Sequence, residues 1–308
     1  MLLPVGIVFF LVVALRRRLY RGGVLARERL PVPVIVVGNI TVGGSGKTPL
    51  ILWLVDALRR RGRRPGVVSR GYGGGVDGVG EVEPDSVAEL VGDEPLLIRR
   101  RAGCPVFVGR DRVAAGNALL ARHSDCDVIL CDDGLQHYRL ARDVEIAVLD
   151  RRGLWNGWPL PAGPLREPES RLRTVDAVVA NDWSGPAGFR MTLAGDSFQL
   201  LNGAASRPAA ELAGLRLHAV AGIGEPQRFF DHLAGLGLGF EAHAFADHHR
   251  FVAADLAFDG DAILTTEKDA VKFGLLAALP VWVLPVTAVV APDLGQFVLE
   301  KINGRSPA

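Results

Sequence analysis

Short apolar runs rich in β-branched residues recur along the chain, separated by stretches whose apolar positions return at helical spacing. Val34 to Val37, Gly66 to Ser69, Pro105 to Val108, Asp127 to Cys131, Glu145 to Leu149 and Ala177 to Ala180 each have the length and composition of a strand buried on both faces. Leu50 to Leu58, Val91 to Arg101 and Val113 to Arg122 read as the intervening helices. This alternation predicts an α/β fold with a mostly parallel sheet covered on both sides. A second set follows: strands at Leu217 to Val220, Phe240 to Ala244, Ala262 to Thr265 and Val281 to Val289, and a helix at Pro226 to Leu236. Between the sets, Phe189 to Leu201 alternates around a Gly-Asp turn and reads as an antiparallel hairpin.

The amino terminus follows another pattern. Leu2 to Leu15 is apolar apart from Gly6, and Arg16, Arg17 and Arg18 come next. A secretory signal has the opposite charge polarity. A helix of these residues is about 21 Å long, short of the roughly 30 Å hydrocarbon core. It is expected to lie partly in a membrane, with arginines at anionic headgroups and the remainder on the cytoplasmic side. A short span with snorkelling arginines and a buried core helix are the alternatives. The expected organisation is a membrane-associated helix (1–22), a first α/β domain (23–188), a hairpin linker (189–202) and a smaller α/β domain (203–308), with a return of its last segment to the first domain as an alternative.

The segment after the first strand carries the strongest chemical signal. Gly43, Gly44, Ser45 and Gly46 are followed by Lys47, Thr48 and an apolar helix ending in Arg59 to Arg61. Strand, glycine loop, Lys-Thr and helix form the layout of a phosphate cradle, so the fold class sharpens to P-loop NTPase-like. Glycines let backbone N–H groups converge on phosphate oxygens at the positive end of the helix dipole. Lys47 would meet the terminal phosphates and the Thr48 hydroxyl a magnesium ion. The general pattern has glycine where this chain has Thr41. A glycine-rich turn with a surface lysine is the plainer alternative.

Size and composition add bounds. The chain has 308 residues, 49% of them hydrophobic, enough for two ordinary domains or one large one. A formal net charge of +1 points to no nucleic-acid partner. Cys104, Cys126 and Cys131 have no CxxC spacing and read as buried reduced thiols.

Polar residues gather after the strands' carboxyl ends, where such sheets bind ligands. Asp132 and Asp133 follow one strand, as magnesium-holding carboxylates would; turn formation is the alternative. Asp93 and Glu94 form a second acidic pair, equally suited to capping a helix. Arg110 and Arg112 could bind an anion or merely face solvent. Asp247, His248 and His249 follow a strand of the second set, and Lys268 lies in Thr266-Glu267-Lys268-Asp269. Arg151 to Arg173, rich in Pro, Gly, Trp and Arg, is too long and irregular for a neutral connector and is expected to border a site.

Together these motifs resemble the tetraacyldisaccharide 4′-kinase family. The resemblance covers nearly the whole chain: VGNITVGGSGKTP (Val37 to Pro49), SRGYGG (Ser69 to Gly74), GDEP (Gly92 to Pro95), CDDGLQH (Cys131 to His137), LPAGPLREP (Leu160 to Pro168), DHH (Asp247 to His249) and TEKDAVK (Thr266 to Lys272). It implies a P-loop domain, a smaller α/β domain, a two-stranded linker and a lipid A pathway kinase. ATP and Mg²⁺ would be used to phosphorylate the 4′-hydroxyl of a tetraacylated glucosamine disaccharide 1-phosphate at the cytoplasmic face of the Gram-negative inner membrane. Carried onto this chain, Asp93 is the base and His248 its partner, with His249 the competing histidine. Gly43 to Thr48 bind nucleotide, and Thr48, Glu94, Asp132 and Asp133 share the metal. Arg70, Arg112, Gln136 and His137 are candidates for substrate contacts. Thr41 then reads as a family feature. Against a GTPase or an ATP-driven partner switch, the chain lacks the Asn-Lys-x-Asp stretch of guanine specificity, and a non-catalytic membrane-tethered module sits poorly with the paired carboxylates.

Overall fold

The computed structural model describes residues 2–201, 203–274 and 276–304. In chain order, the first part contains α1 (Leu3–Arg21), β1 (Val34–Gly38), α2 (Lys47–Arg59), β2 (Pro65–Ser69), β3 (Val79–Glu81), α3 (Ala88–Val91), α4 (Asp93–Ala102), β4 (Val106–Gly109), α5 (Arg112–Arg122), β5 (Val128–Asp132), β6 (Val144–Asp150), β7 (Ala177–Asn181) and β8 (Phe189–Ala194). There follow β9 (Ser197–Leu200), β10 (Ser206–Pro208), β11 (Leu217–Ala221), α6 (Pro226–Gly235), β12 (Phe240–Ala244), β13 (Ala262–Thr266), α7 (Glu267–Phe273), β14 (Val281–Leu284), β15 (Thr287–Ala291) and α8 (Leu294–Asn303).

The described strands form two sheets. The first has nine strands in the order β15-β8-β7-β6-β1-β5-β2-β4-β3, the second six in the order β10-β9-β14-β13-β11-β12. Strands β4 through β8 in the first order are parallel, and β3 and β15 are antiparallel edges. Strand β1 shows why its sequence is continuously apolar. Ile35 and Val37 pack into one core with Leu50, Leu54 and Leu58 of α2, while Val34 and Val36 pack into the opposite core with Val113 and Leu119 of α5. In the second sheet, Ala219 packs with Phe229 and Leu233 of α6, and Val220 with Phe273 of α7.

Four expectations are corrected. The 189–202 hairpin does not form: β8 joins β7 and β15 in the first sheet, whereas β9 joins β10 and β14 in the second. Alternation identifies a strand but not its partner. The Val281 to Val289 run divides at Pro285 into β14 and β15, so the chain crosses back to the first sheet. The two crossings lie together, and a Cβ on Gly195 would come within 2.4 Å of the Pro285 carbonyl oxygen. The helix expected over Val91 to Arg101 starts only at Asp93, because Gly92 takes φ 89°, ψ 149° and separates it from α3. Finally, α1 continues through the arginines for 19 residues, about 28 Å. Among the described residues no helix is long and apolar enough to cross a membrane.

Candidate active site

The strand order brings the carboxyl ends of β1, β5 and β2 side by side, and each delivers polar residues to one place. After β1 the chain turns into α2 through Gly43 (φ 94°) and Gly46 (φ 89°), both left-handed. Glycine is required at 46 for a second reason: a Cβ there would lie 2.3 Å from Asn181 Nδ2. That amide donates to the Ser45 carbonyl at 3.0 Å, and Asn39 Nδ2 donates to the Gly43 carbonyl at 3.2 Å. The loop's carbonyls are thus held by the protein while α2 begins at Lys47. Thr41 needs no glycine substitute. It is buried in an antiparallel bridge with Leu165, and Val42 N donates to the Pro164 carbonyl at 2.9 Å.

Strand β5 supplies Asp132 and Asp133, whose surroundings act on them in opposite directions. Burial, followed by the charge of Glu94, pushes the Asp132 carboxyl up to about 7. Burial also acts upward on Asp133, but Lys47 and Arg166 outweigh it and hold the group at about 2. Lys47 Nζ is 3.5 Å from Asp133, and Arg166 donates to the same carboxylate at 2.9 Å. Ser69, ending β2, donates to Asp132 at 3.1 Å. The buried Oδ1 atoms of Asp132 and Asp133 have no hydrogen-bond partner among the described residues.

Asp93 and Glu94 open α4. His248, from the loop after β12, places Nδ1 2.9 Å from Asp93 Oδ2 and 3.1 Å from Oδ1. Burial tends to raise Asp93, but the His248 hydrogen bond and the Lys268 charge leave it below the usual carboxylate range. The same hydrogen bond, against burial, lifts His248 above the usual imidazole range. Both Asp133 (φ 49°) and His248 (φ 59°) occupy the left-handed region uncommon for side-chain-bearing residues. His249 is differently placed, with Nε2 2.9 Å from Asp255.

The second sheet closes over the phosphate loop. Gly224 packs so tightly that its Cβ would lie 2.8 Å from Gly44 N. Lys268 donates to Glu94 and to Asp247, each at 3.0 Å. Burial alone would lower Lys268, but Glu94, Asp93 and Asp247 keep its pKa above the ordinary lysine value. Between the sheets lies a cleft of about 480 Å³ lined by Gly44 to Pro49, Glu94, Asp182, Arg228 and Lys268.

The four expected substrate contacts are not gathered in one place by visible bonds. Gln136 donates to the Asn39 carbonyl at 3.1 Å and to Glu167 at 2.7 Å. Arg112 is buried and donates to the Arg110 carbonyl at 3.0 Å. Burial and then Arg112 push His137 down to about 4. Arg70 is exposed, with no hydrogen bond or ion pair among the described residues. The irregular 151–173 segment does border the cleft, since Arg152 donates to the Gly44 carbonyl at 2.7 Å. Sequence reasoning left out Asn181, Arg228 and Gly224 and did not assign Lys268. Asn181 and Asp182 follow a strand as Asp132 and Asp133 do, which was the available signal; the supports supplied by the second sheet had none.

A family model for tetraacyldisaccharide-1-P 4′-kinase matches residues 1–303. The chain belongs to the tetraacyldisaccharide 4′-kinase family. It is 54% identical to a tetraacyldisaccharide 4′-kinase of Azoarcus sp. (strain BH72), covering 100% of this chain and 93% of that protein. A tetraacyldisaccharide 4′-kinase of Dechloromonas aromatica (strain RCB) is 53% identical, with 100% and 94% covered. The crystal structure of LpxK from Aquifex aeolicus in complex with ATP is 30% identical and superposes with a TM-score of 0.84 over 98% of each chain. Members of the 4′-kinase family thus share this chain's mostly parallel α/β architecture.

Gly46→Ala tests the loop geometry. Strain of about 1–3 kcal/mol should weaken ATP binding by roughly 10- to 100-fold in calorimetry; unchanged affinity would mean that this loop does not hold the nucleotide.

Proposed function

We propose that this chain transfers the γ-phosphate of ATP to the 4′-hydroxyl of a tetraacylated glucosamine disaccharide 1-phosphate, giving ADP and lipid IVA. Family membership makes it an ATP-dependent kinase of lipid A biosynthesis. One observation carries the residue-level reading: Glu94 lines the phosphate cleft, and its neighbour Asp93 is paired with His248 from the opposite sheet. An acceptor hydroxyl brought to Asp93 would therefore lie beside the phosphate loop.

In this reading the amides of Gly43 to Thr48 and the Lys47 ammonium hold the triphosphate. Asp93 accepts the hydroxyl proton, and His248 orients and stabilises its carboxylate. Thr48, Glu94, Asp132 and Asp133 are the residues that would hold Mg²⁺. The fit rests on an all-oxygen donor set and on two buried carboxylate oxygens without hydrogen-bond partners among the described residues, one in a group whose charge burial opposes. Bound there, the ion would neutralise charge on the transferring phosphate. Arg70 is the most available of the four candidate substrate residues, because Gln136 and Arg112 already serve protein acceptors.

The membrane reading draws on α1. Gly6 meets Pro159, where a Cβ would come within 2.9 Å of the proline ring. Arg17 donates to Thr174 at 2.6 Å, and the Arg16 guanidinium lies 5.9 Å from the Tyr138 ring. The helix is thereby fixed to the body while Val5, Ile7, Val8, Leu11, Val12 and Leu15 stay more than half exposed. A patch of this kind marks an interaction surface, and each side chain moved into lipid would contribute about 1.5–3 kcal/mol. A peripheral or monotopic attachment at the cytoplasmic face of the inner membrane would spare the four acyl chains from water.

Three outcomes are expected. With labelled ATP, Mg²⁺ and disaccharide 1-phosphate in detergent, label appears in lipid, and Asp93→Ala lowers kcat by about 10²–10⁴-fold; hydrolysis without lipid labelling would overturn the acceptor assignment. The Asp93 carboxylate and His248 imidazolium coexist from below the ordinary aspartate value of 3.8 to above the ordinary histidine value of 6.5. His248→Ala removes the hydrogen bond that lowers Asp93, so the acid limb of kcat/KM should move to higher pH; an unmoved limb would separate the two residues. Leu11→Glu should reduce sedimentation with anionic vesicles at least about tenfold, and undiminished binding would remove α1 as the anchor.

A further inference from the structure

The second sheet carries a cluster of side chains that the phosphate cleft does not use. His218 lies on β11, and Glu241 and His243 lie on β12, at that sheet's edge. His218 is the register partner of Glu241, and the two-residue spacing puts His243 on the same face. His218 Nδ1 is 3.1 Å from His243 Nε2 and 3.6 Å from Glu241 Oε2. Glu241 Oε1 is 3.9 Å from His243 Nε2. Three potential ligand atoms therefore converge from two adjacent strands.

The surroundings hold these rings in a binding orientation. His218 Nε2 is 3.3 Å from the Asp259 carbonyl, to which only a protonated nitrogen can donate. That tautomer leaves the lone pair on Nδ1, the atom facing the other two groups. A backbone carbonyl on the far ring nitrogen is the usual outer support of a metal-binding imidazole. Gly260 makes the approach possible, since a Cβ there would lie 2.8 Å from His218 Nε2. Phe258 stacks against both imidazoles, at 4.5 Å from His218 and 4.2 Å from His243.

We propose that His218, Glu241 and His243 form a binding site for a divalent transition ion, zinc foremost, separate from the magnesium carboxylates. Two imidazoles and a carboxylate suit zinc, whereas magnesium and calcium prefer oxygen ligands alone. Bonds of about 2.0–2.2 Å in a tetrahedron put ligand atoms roughly 3.3 Å apart. The imidazoles already stand near that separation, and the Glu241 side chain, 69% exposed, is free to close the remainder. The ion would tie edge strand β12 to β11, and β12 leads directly into the loop bearing Asp247 and His248.

The test uses the untagged full chain, stripped of metal and titrated with Co²⁺ and then Zn²⁺ against a chromophoric chelator. One ion per chain is expected, with the intense visible bands of low-coordinate Co²⁺ and their loss on Zn²⁺ addition. Glu241→Gln and His243→Ala should each weaken binding by at least the roughly 10- to 100-fold that accompanies loss of an outer-layer partner. Glu241 lies on the surface, so its variant keeps the fold, as circular dichroism would verify. His248→Ala should leave the metal affinity unchanged. Absence of tight binding, affinity indifferent to both cluster variants, or affinity lost in His248→Ala would overturn the proposal and leave a histidine–histidine hydrogen bond in its place.

Discussion

The cleft depends on a seam of opposite charges between two sheets. From the first sheet come Asp93, Glu94, Arg101, Arg151 and Asp182; from the second come His248, Lys268, Glu267, Glu225 and Arg228, each facing a partner of the other sign. The more exposed of these, Arg151–Glu225 and Arg228–Asp182, contribute about 0–1 kcal/mol each. Burial opposes the charges of Asp93, Glu267 and Lys268, and around Lys268 three carboxylates restore it. Removing one side of such an arrangement leaves the other desolvated and unpaired. The seam therefore governs position more than stability: it sets where the Gly222 to Gly224 turn rests on the phosphate loop and where His248 meets Asp93.

Within this frame, adjacent residues acquire different chemistry from different neighbours. Asp133 has Lys47 and Arg166 beside it and remains anionic at low pH, while Asp132, one residue away, faces Glu94 from a buried position. Their backbone accounts for the divergence. Asp132 ends β5 in extended conformation and points to Ser69, and the left-handed turn at Asp133 sends the next side chain towards α2. Local geometry thus separates two carboxylates that composition presents as one acidic pair.

Much of this was legible in the residues, for identifiable reasons. The buried strands announced themselves through uninterrupted β-branched runs, and the loop from Gly43 to Thr48 through glycine spacing that few other structures require. The pairing of Asp93 with His248 was reachable only through family resemblance, because the two lie 155 positions apart and share no local pattern. Strand partners were the least legible feature. Phe189–Ala194 and Ser197–Leu200 have the alternation of a hairpin, yet they enter different sheets because Met191 packs in the first core and Phe198 in the second. Nothing local distinguishes those destinations. Lys268 gave the same difficulty: a lysine after a strand has no visible role until the opposing carboxylates are in place.

The side-by-side crossings β8 and β15 bear on how the two halves can move. They are laddered from Arg190–Ala291 to Ala194–Thr287, so neither can slide without breaking several backbone bonds at once. Past Met191, where β8 parts from β7, two tied strands remain, and such a ribbon flexes out of its plane far more readily than it stretches or shears within it. Rocking about that ribbon would change the gap above Lys47 while preserving the lateral register of the two walls, as a book opens along its spine without its pages slipping.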